Sequence, residues 1–249
     1  MYSLEKEENM FLYYGIPFGY YYFDWTYVLV ILGAVLSIIA SLFVKSTYAK
    51  YSRVSSRAGM TGAMAADRIL RSSGIYDVRI EHVSGNLTDH YDSKKKVLRL
   101  SDSVYGNTSV AAIGVAAHEC GHAIQDQKAY GPLRLRAALV PVANIGASLS
   151  WPIIIAGVIL SYSQTLITIG ILMFSAAVLF QLVTLPVEFN ASRRALACLS
   201  SSGLLYPEEI SKTGRVLRAA ALTYVAAAAA SILQLLRLII LFGNRRSND

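Results

Sequence analysis

From Trp25 to Val44 the chain runs for twenty residues without a charged side chain. That is the length a helix needs to cross the hydrocarbon core of a bilayer, and only helices or closed barrels can do so with every backbone polar group satisfied. The run therefore restricts the fold to a membrane protein built on helices. Lys45, Lys50, Arg53 and Arg57 follow at once. By the positive-inside rule this end of the span is cytoplasmic and residues 1–24 lie outside. The lead carries Glu5, Glu7, Glu8 and Asp24 against Lys6, then a cluster of rings (Phe11, Tyr13, Tyr14, Phe18, Tyr20, Tyr21, Tyr22 and Phe23). Such rings suit the headgroup level or simple packing. No basic n-region marks a cleavable signal.

Two further uncharged stretches follow later, Leu139 to Leu160 and Thr165 to Leu185, joined by a short turn over 161–164. Both ends of this pair fall on the basic side, although Pro141 and Pro152 are expected to kink or shift the first helix. Ala219 to Phe242 is rich in Ala, Leu and Ile but contains Gln234 and Arg237 and ends at Arg245–Arg246. It is either a fourth span, against the charge rule, or a helix packed on the rest. The net charge of +7 does not indicate nucleic acid, because fourteen of the 23 Lys and Arg residues lie between Lys45 and Arg136, beside the first span. With 54% apolar and 16% charged residues, the composition agrees with a membrane protein.

Between the first and second spans lies a part with soluble character. Ala58 to Ser73 reads as an amphipathic helix, with Met60, Met64, Ile69 and Leu70 on one side and Arg68 and Arg71 on the other. Gly74 is placed to end it. Tyr76–His82 and Lys96–Leu100 alternate as strands, and the turn formers between them suggest a hairpin. Ser109 to Gln127 then reads as a helix, with Asn107 and Thr108 available to cap it. After the third span, 186–206 is mixed, and Pro207-Glu-Glu-Ile starts a helix with acids in its first turn.

The helix at 109–127 contains His118-Glu119-Cys120-Gly121-His122. Residues four apart share a helix face, so His118 and His122 can hold one metal ion, while Glu119, one step round, can take a proton from water beside it. Two imidazoles and such a carboxylate are what a zinc hydrolase uses. The plain alternative is two solvated histidines and an ion-paired glutamate. The preceding Ala111, Ala112, Val115, Ala116 and Ala117 argue for burial instead, and two of the chain's four histidines fall here. Cys120 is read as a small packing residue, and with Cys198 far away there is no disulfide framework.

A catalytic zinc takes three protein ligands and keeps one position open. His82, His90 and several acids remain available. Glu188, in Leu185-Pro-Val-Glu-Phe-Asn-Ala-Ser-Arg-Arg194, lies at the membrane edge, where a buried carboxylate needs a cation. It could also start a helix or pair with Arg193 or Arg194.

Four stretches carry a likeness: Leu87-Thr-Asp-His-Tyr-Asp92, Val97-Leu-Arg-Leu-Ser101, Ala116-Ala-His-Glu-Cys-Gly-His-Ala-Ile-Gln125 and Leu185 to Arg194. On these the chain resembles the YugP-like family of bacterial membrane neutral zinc metallopeptidases, more distantly similar to HtpX-like proteases and CAAX prenyl endopeptidases. The resemblance implies a gluzincin, with zinc held by His118, His122 and Glu188 and with Glu119 as general base. In the distant relatives an aspartate four residues after the glutamate ligand supports a histidine. Ser192 stands there instead, so that support is unassigned, with Asn190 one option. For the oxyanion, Arg193, Arg194, Tyr224 and His90 are open choices; His90 otherwise suits a turn.

The expected fold is a mainly α membrane protein: a zincin-like, gluzincin catalytic part with a small β-hairpin or sheet, and three to four transmembrane helices. Its division is an extracytoplasmic lead over 1–24, spans over 25–44, 139–160 and 165–185, a cytoplasmic zincin part over 45–136, a third-ligand and helical part over 186–218, a further span over 219–242 and a tail over 243–249. The expected activity is zinc-dependent hydrolysis of peptide bonds in membrane or membrane-proximal proteins, at the cytoplasmic face of a bacterial cell membrane. The alternatives are a zinc-stabilised scaffold or adaptor without protease activity, and a transporter, which would need paired charges at mid-depth that the first three spans lack. Expected partners are protein or peptide substrates and the bilayer, not nucleic acid. A homo-oligomer or a stomatin-type scaffold partner has no motif to support it.

Overall fold

The computed structural model describes residues 16–18 and 21–243. The acidic residues 5–8, the rings Phe11, Tyr13, Tyr14 and Tyr20, and Arg245–Arg246 lie outside the described residues. Four long helices dominate: α1 (Tyr27–Tyr51), α4 (Gly131–Ile159), α5 (Gln164–Ser201) and α6 (Pro207–Phe242). At 25, 29, 38 and 36 residues they are, among the described residues, the four helices long and apolar enough to cross a membrane. Between α1 and α4 sit α2 (Gly62–Ser72), the strands β3 (Arg79–Val83), β4 (His90–Asp92) and β5 (Val97–Ser101), and α3 (Val110–Gln127). Ahead of α1, β1 (Ile16–Phe18) and β2 (Tyr21–Phe23) pair antiparallel.

The long helices run alternately up and down. At one end Arg237 of α6 pairs with Asp24 before α1 at 3.3 Å and bonds Thr26, and Gln164 at the start of α5 donates to the carbonyl of Phe242. At the other end Tyr48 of α1 donates to the carbonyl of Ser103, and Arg215 of α6 donates to the Tyr51 hydroxyl. This second end carries the sheet, α2 and α3. Leu42 and Leu172 are 61% and 65% exposed on the bundle, as side chains facing acyl chains would be. Glycines bring the helices close. A Cβ on Gly146 of α4 would fall 2.4 Å from the carbonyl oxygen of Met173 in α5, and one on Gly33 of α1 would fall 3.0 Å from Cα of Ala230 in α6.

Several elements differ from the sequence reading. The strands do not form a hairpin. β3 pairs parallel with β5, and β4, drawn from the turn-rich segment, completes the order β3–β5–β4 by pairing antiparallel with β5. Strand β5 lies between the other two; Val97, Leu98, Leu100 and Ser101 are all buried, so alternation there does not mark a solvent face. The amphipathic helix starts at Gly62, after Thr61 caps it by accepting from the Met64 amide. Ser109, not Asn107 or Thr108, caps α3 by accepting from Ala112, while the Asn107 side chain braces the Ser109 amide. α4 continues through Pro141 and Pro152, and α5 through Pro186, so 164–201 is one helix. α6 likewise joins the acidic start at Pro207 to the apolar segment.

α3 is buried almost throughout. Its small residues are the reason it can be: Ala112, Ala116, Ala117 and Cys120 pack with Ile69, Leu98, Leu100, Leu199 and Leu217 from α2, β5, α5 and α6. A helix with neighbours on every side must be narrow, and a Cβ on Gly114 would fall 2.6 Å from the Thr213 methyl of α6.

Candidate metal centre

His118 and His122 project from α3 one turn apart, their rings 4.8 Å apart between centroids and nearly perpendicular. Glu188 meets them from α5. Its Oε2 lies 3.2 Å from Nε2 of His118 and 3.6 Å from Nε2 of His122. One donor atom from each of the three lies within 4.8 Å of the others. Donors bound at about 2.1 Å to a tetrahedral zinc sit about 3.4 Å from one another. The two Glu188–histidine separations straddle that value, and a two-nitrogen, one-oxygen donor set suits zinc. The three residues expected to meet therefore do meet, in a geometry that fits the ion.

The outer nitrogens explain why the inner ones point inward. Nδ1 of His118 is hydrogen-bonded with Oγ of Ser192 at 3.1 Å. Nδ1 of His122 donates to Oε1 of Gln125 at 3.0 Å, and the Gln125 amide donates in turn to the carbonyl of Val187 and to Oδ1 of Asn190. With Nδ1 as donor, the tautomer that metal ligation requires, each Nε2 can offer its lone pair to an ion held between the rings and Glu188. Ser192 thus supports His118 at the very position where the distant relatives have aspartate. Asn190 acts one step further out, through Gln125. Gln125 is fully buried and lies three residues after His122 on the same helix face, a spacing that could have marked it.

Glu188 is only 3% exposed at its side chain. Its second oxygen, Oε1, accepts from Nη1 of Arg136 at 3.0 Å. Arg136 comes from α4, and nothing in its sequence surroundings singles it out. Arg193 is exposed, and Arg194 bonds Asn190 and stacks over Tyr130, so neither is the partner of Glu188. Glu119 is buried beside the cluster and has no hydrogen-bond or ion-pair partner among the described residues. Burial pulls the His122 imidazole down, but the carboxylates of Glu188 and Glu119 outweigh it and raise its pKa. Burial pushes the Cys120 thiol well above its ordinary range, consistent with a packing role. Tyr224 of α6 interacts with both Glu188 and Glu119.

His82 and His90 are elsewhere. His82 pairs with Asp102 at 2.6 Å. His90, on β4, bonds the carbonyl of Thr88 through Nδ1 and contacts Arg99 through Nε2. β4 itself packs on α3 through Tyr91, whose hydroxyl donates to Asp126.

The chain is similar to known proteins along most of its length. Residues 26–243 match the family described as "Putative neutral zinc metallopeptidase". The chain is 50% identical over 214 residues to "Putative membrane protease YugP" of Bacillus subtilis (strain 168), covering 86% of this chain and 95% of that protein. No solved structure matches the chain.

Proposed function

Because the chain belongs to this family of membrane neutral zinc metallopeptidases, we propose that it is a membrane-embedded zinc-dependent endopeptidase. The observation that carries the reading is the convergence of donor atoms of His118, His122 and Glu188 to within 4.8 Å of one another, beside the buried carboxylate of Glu119. These three residues hold the metal. Zinc bound there supplies Lewis-acid chemistry, making water acidic enough to lose a proton near neutral pH and polarising a carbonyl. Glu119 takes the proton from the attacking water and passes it to the leaving amine. Ser192 and Gln125 hold the two imidazoles in the required orientation. Of the four groups considered for the oxyanion, Tyr224 is the one electrostatically coupled to Glu188 and Glu119, and its hydroxyl is assigned to the carbonyl oxygen.

The substrate backbone adds along β4, whose outer edge has no partner strand among the described residues and which packs on α3. Substrates are membrane or membrane-proximal proteins, cut at the cytoplasmic face. In support, the site lies at the end of the bundle that carries Lys45, Lys50, Arg53 and Arg57, the end that the positive-inside rule assigns to the cytoplasm.

The test is zinc content and cleavage of a disordered protein such as casein by the detergent-purified chain. The wild type is expected to hold one zinc and to cleave. Glu188→Ala is expected to lose the zinc. Glu119→Gln is expected to keep it and to lose about 10²–10⁴-fold in rate. Wild-type cleavage by Glu119→Gln would refute the assignment of the base, and a zinc-loaded wild type that cleaves neither casein nor membrane-protein substrates would favour the scaffold.

A further inference from the structure

The two oxygens of Glu188 have different partners. Oε2 faces both imidazoles, at 3.2 and 3.6 Å, whereas Oε1 is turned away to Nη1 of Arg136 at 3.0 Å. Among the described residues Arg136 is the one Lys or Arg that pairs with this carboxylate. Its backbone position is set by helix packing. It stands in the second turn of α4, and α4 is held against α5 by backbone-close contacts further along: besides Gly146 on Met173, a Cβ on Gly170 would lie 2.4 Å from the Ile154 side chain, and one on Gly157 2.8 Å from that of Ile167. The Cα of Arg136 is therefore held at a fixed distance from Glu188, within reach of its side chain.

This matters because a carboxylate can give a metal ion one oxygen or two. A hydrolytic site needs three protein donors and a water, and a second oxygen from Glu188 would add a fifth donor beside that water and weaken its activation. We propose that Arg136 is a positioning residue that restricts Glu188 to one metal-facing oxygen and so keeps the site four-coordinate with its water. The proposal rests on the metal-centre reading above. It assigns to a membrane helix, α4, control over the ligand supplied by its neighbour, α5.

The experiment uses the full chain in detergent, loaded with Co²⁺, whose visible absorption is strong in four-coordinate sites and several-fold weaker in five-coordinate ones. Wild type, Arg136→Met, Arg136→Gln, Arg136→Lys and, as a control on the same helix, Arg134→Met are compared for cobalt per chain, spectrum and casein cleavage. The wild type and the Arg134 variant are expected to bind one cobalt with strong absorption. Arg136→Met is expected to keep one cobalt while its absorption drops several-fold and cleavage falls by about 10–100-fold, the usual effect of losing an outer partner of a metal ligand. Arg136→Gln should show the same change in smaller measure, and Arg136→Lys should recover most of the wild-type spectrum. Loss of a purely structural contact would not change the coordination number in a site that still holds its metal. A wild-type spectrum in both Arg136→Met and Arg136→Gln overturns the proposal alone, as does loss of cobalt from both. A wild type that binds no cobalt overturns the metal-centre reading and the proposal with it.

Discussion

Gly121 lies at the contact on which the metal centre depends. It sits between His118 and His122 on α3, facing Ala191, which sits between Glu188 and Ser192 on α5. A Cβ built on Gly121 would fall 2.5 Å from the carbonyl oxygen of Ala191, 3.0 Å from its carbonyl carbon and 3.1 Å from its Cα. These are backbone atoms of a helix and cannot rotate away. An ordinary carbon–oxygen contact is about 3.4 Å or longer, so Gly121→Ala must part the two helices by roughly 0.9 Å at this point. The metal tolerates donor displacements of only about 0.2 Å. Since two donors ride on α3 and one on α5, nearly the whole displacement falls on the separation between Glu188 and the imidazoles.

The stability balance of the same change is small. Overpacking costs about 1–3 kcal/mol, while Ala in place of Gly inside a helix returns up to about 1 kcal/mol. Gly121→Ala should therefore remain folded by circular dichroism and size exclusion yet lose most of its zinc. Its residual activity should be down by about 10²-fold, the effect of an ångström-scale misplacement at a reacting centre. Gly106→Ala, where nothing lies within 4 Å of the added carbon, is the comparison and should behave as wild type. Zinc content measured by mass spectrometry decides the matter. A Gly121→Ala protein that retains one zinc and full activity would show that α3 and α5 can yield here, and the reasoning would be wrong.

Two further outcomes follow from the surroundings of the site. Ser192→Ala removes the acceptor of His118 Nδ1 and is expected to weaken zinc binding by about 10–100-fold, measured by competition with a chelating dye, whereas Ser192→Asp should restore it by accepting the same proton. In a Cys198→Ser background, Cys120 should resist iodoacetamide at pH 8 in the folded protein and react once the protein is denatured. Burial holds the thiol protonated, so the reactive thiolate is scarce below the raised pKa and appears only when the pH climbs through it or the fold opens.

The fold class and the pairing of His118 with His122 were legible in the sequence because they rest on strong local signals. Twenty uncharged residues allow little but a spanning helix, and His118 and His122 share a helix face by spacing alone. The errors arose where tertiary context overrides local preference. Pro186 reads as a helix boundary. In α5 it leaves one carbonyl without its usual helical donor, and packing against α3 and α4 lets the helix continue. The supposed hairpin failed because β5 is buried on both faces and takes neighbours on both edges, which a two-strand alternation pattern cannot reveal. Gln125 could have been found by its spacing from His122. Arg136 could not, since its partner lies 52 residues away on another helix.

The distribution of the site over the helices bears on what the membrane part is for. α3 supplies His118, His122 and Glu119, but Glu188 and Ser192 come from α5, Arg136 from α4 and Tyr224 from α6. A chain cut after residue 136 would keep two of the three donors and neither Ser192 nor Tyr224. The membrane helices are therefore structural parts of the metal centre as well as its tether. Their glycine contacts, Gly146 on Met173 and Gly33 on Ala230, set the helix separations within which donor atoms must agree to a few tenths of an ångström. Small residues at these crossings answer two needs with one device. They let helices associate in lipid, where there is no hydrophobic drive between them, and they fix the spacing on which the ligand geometry depends.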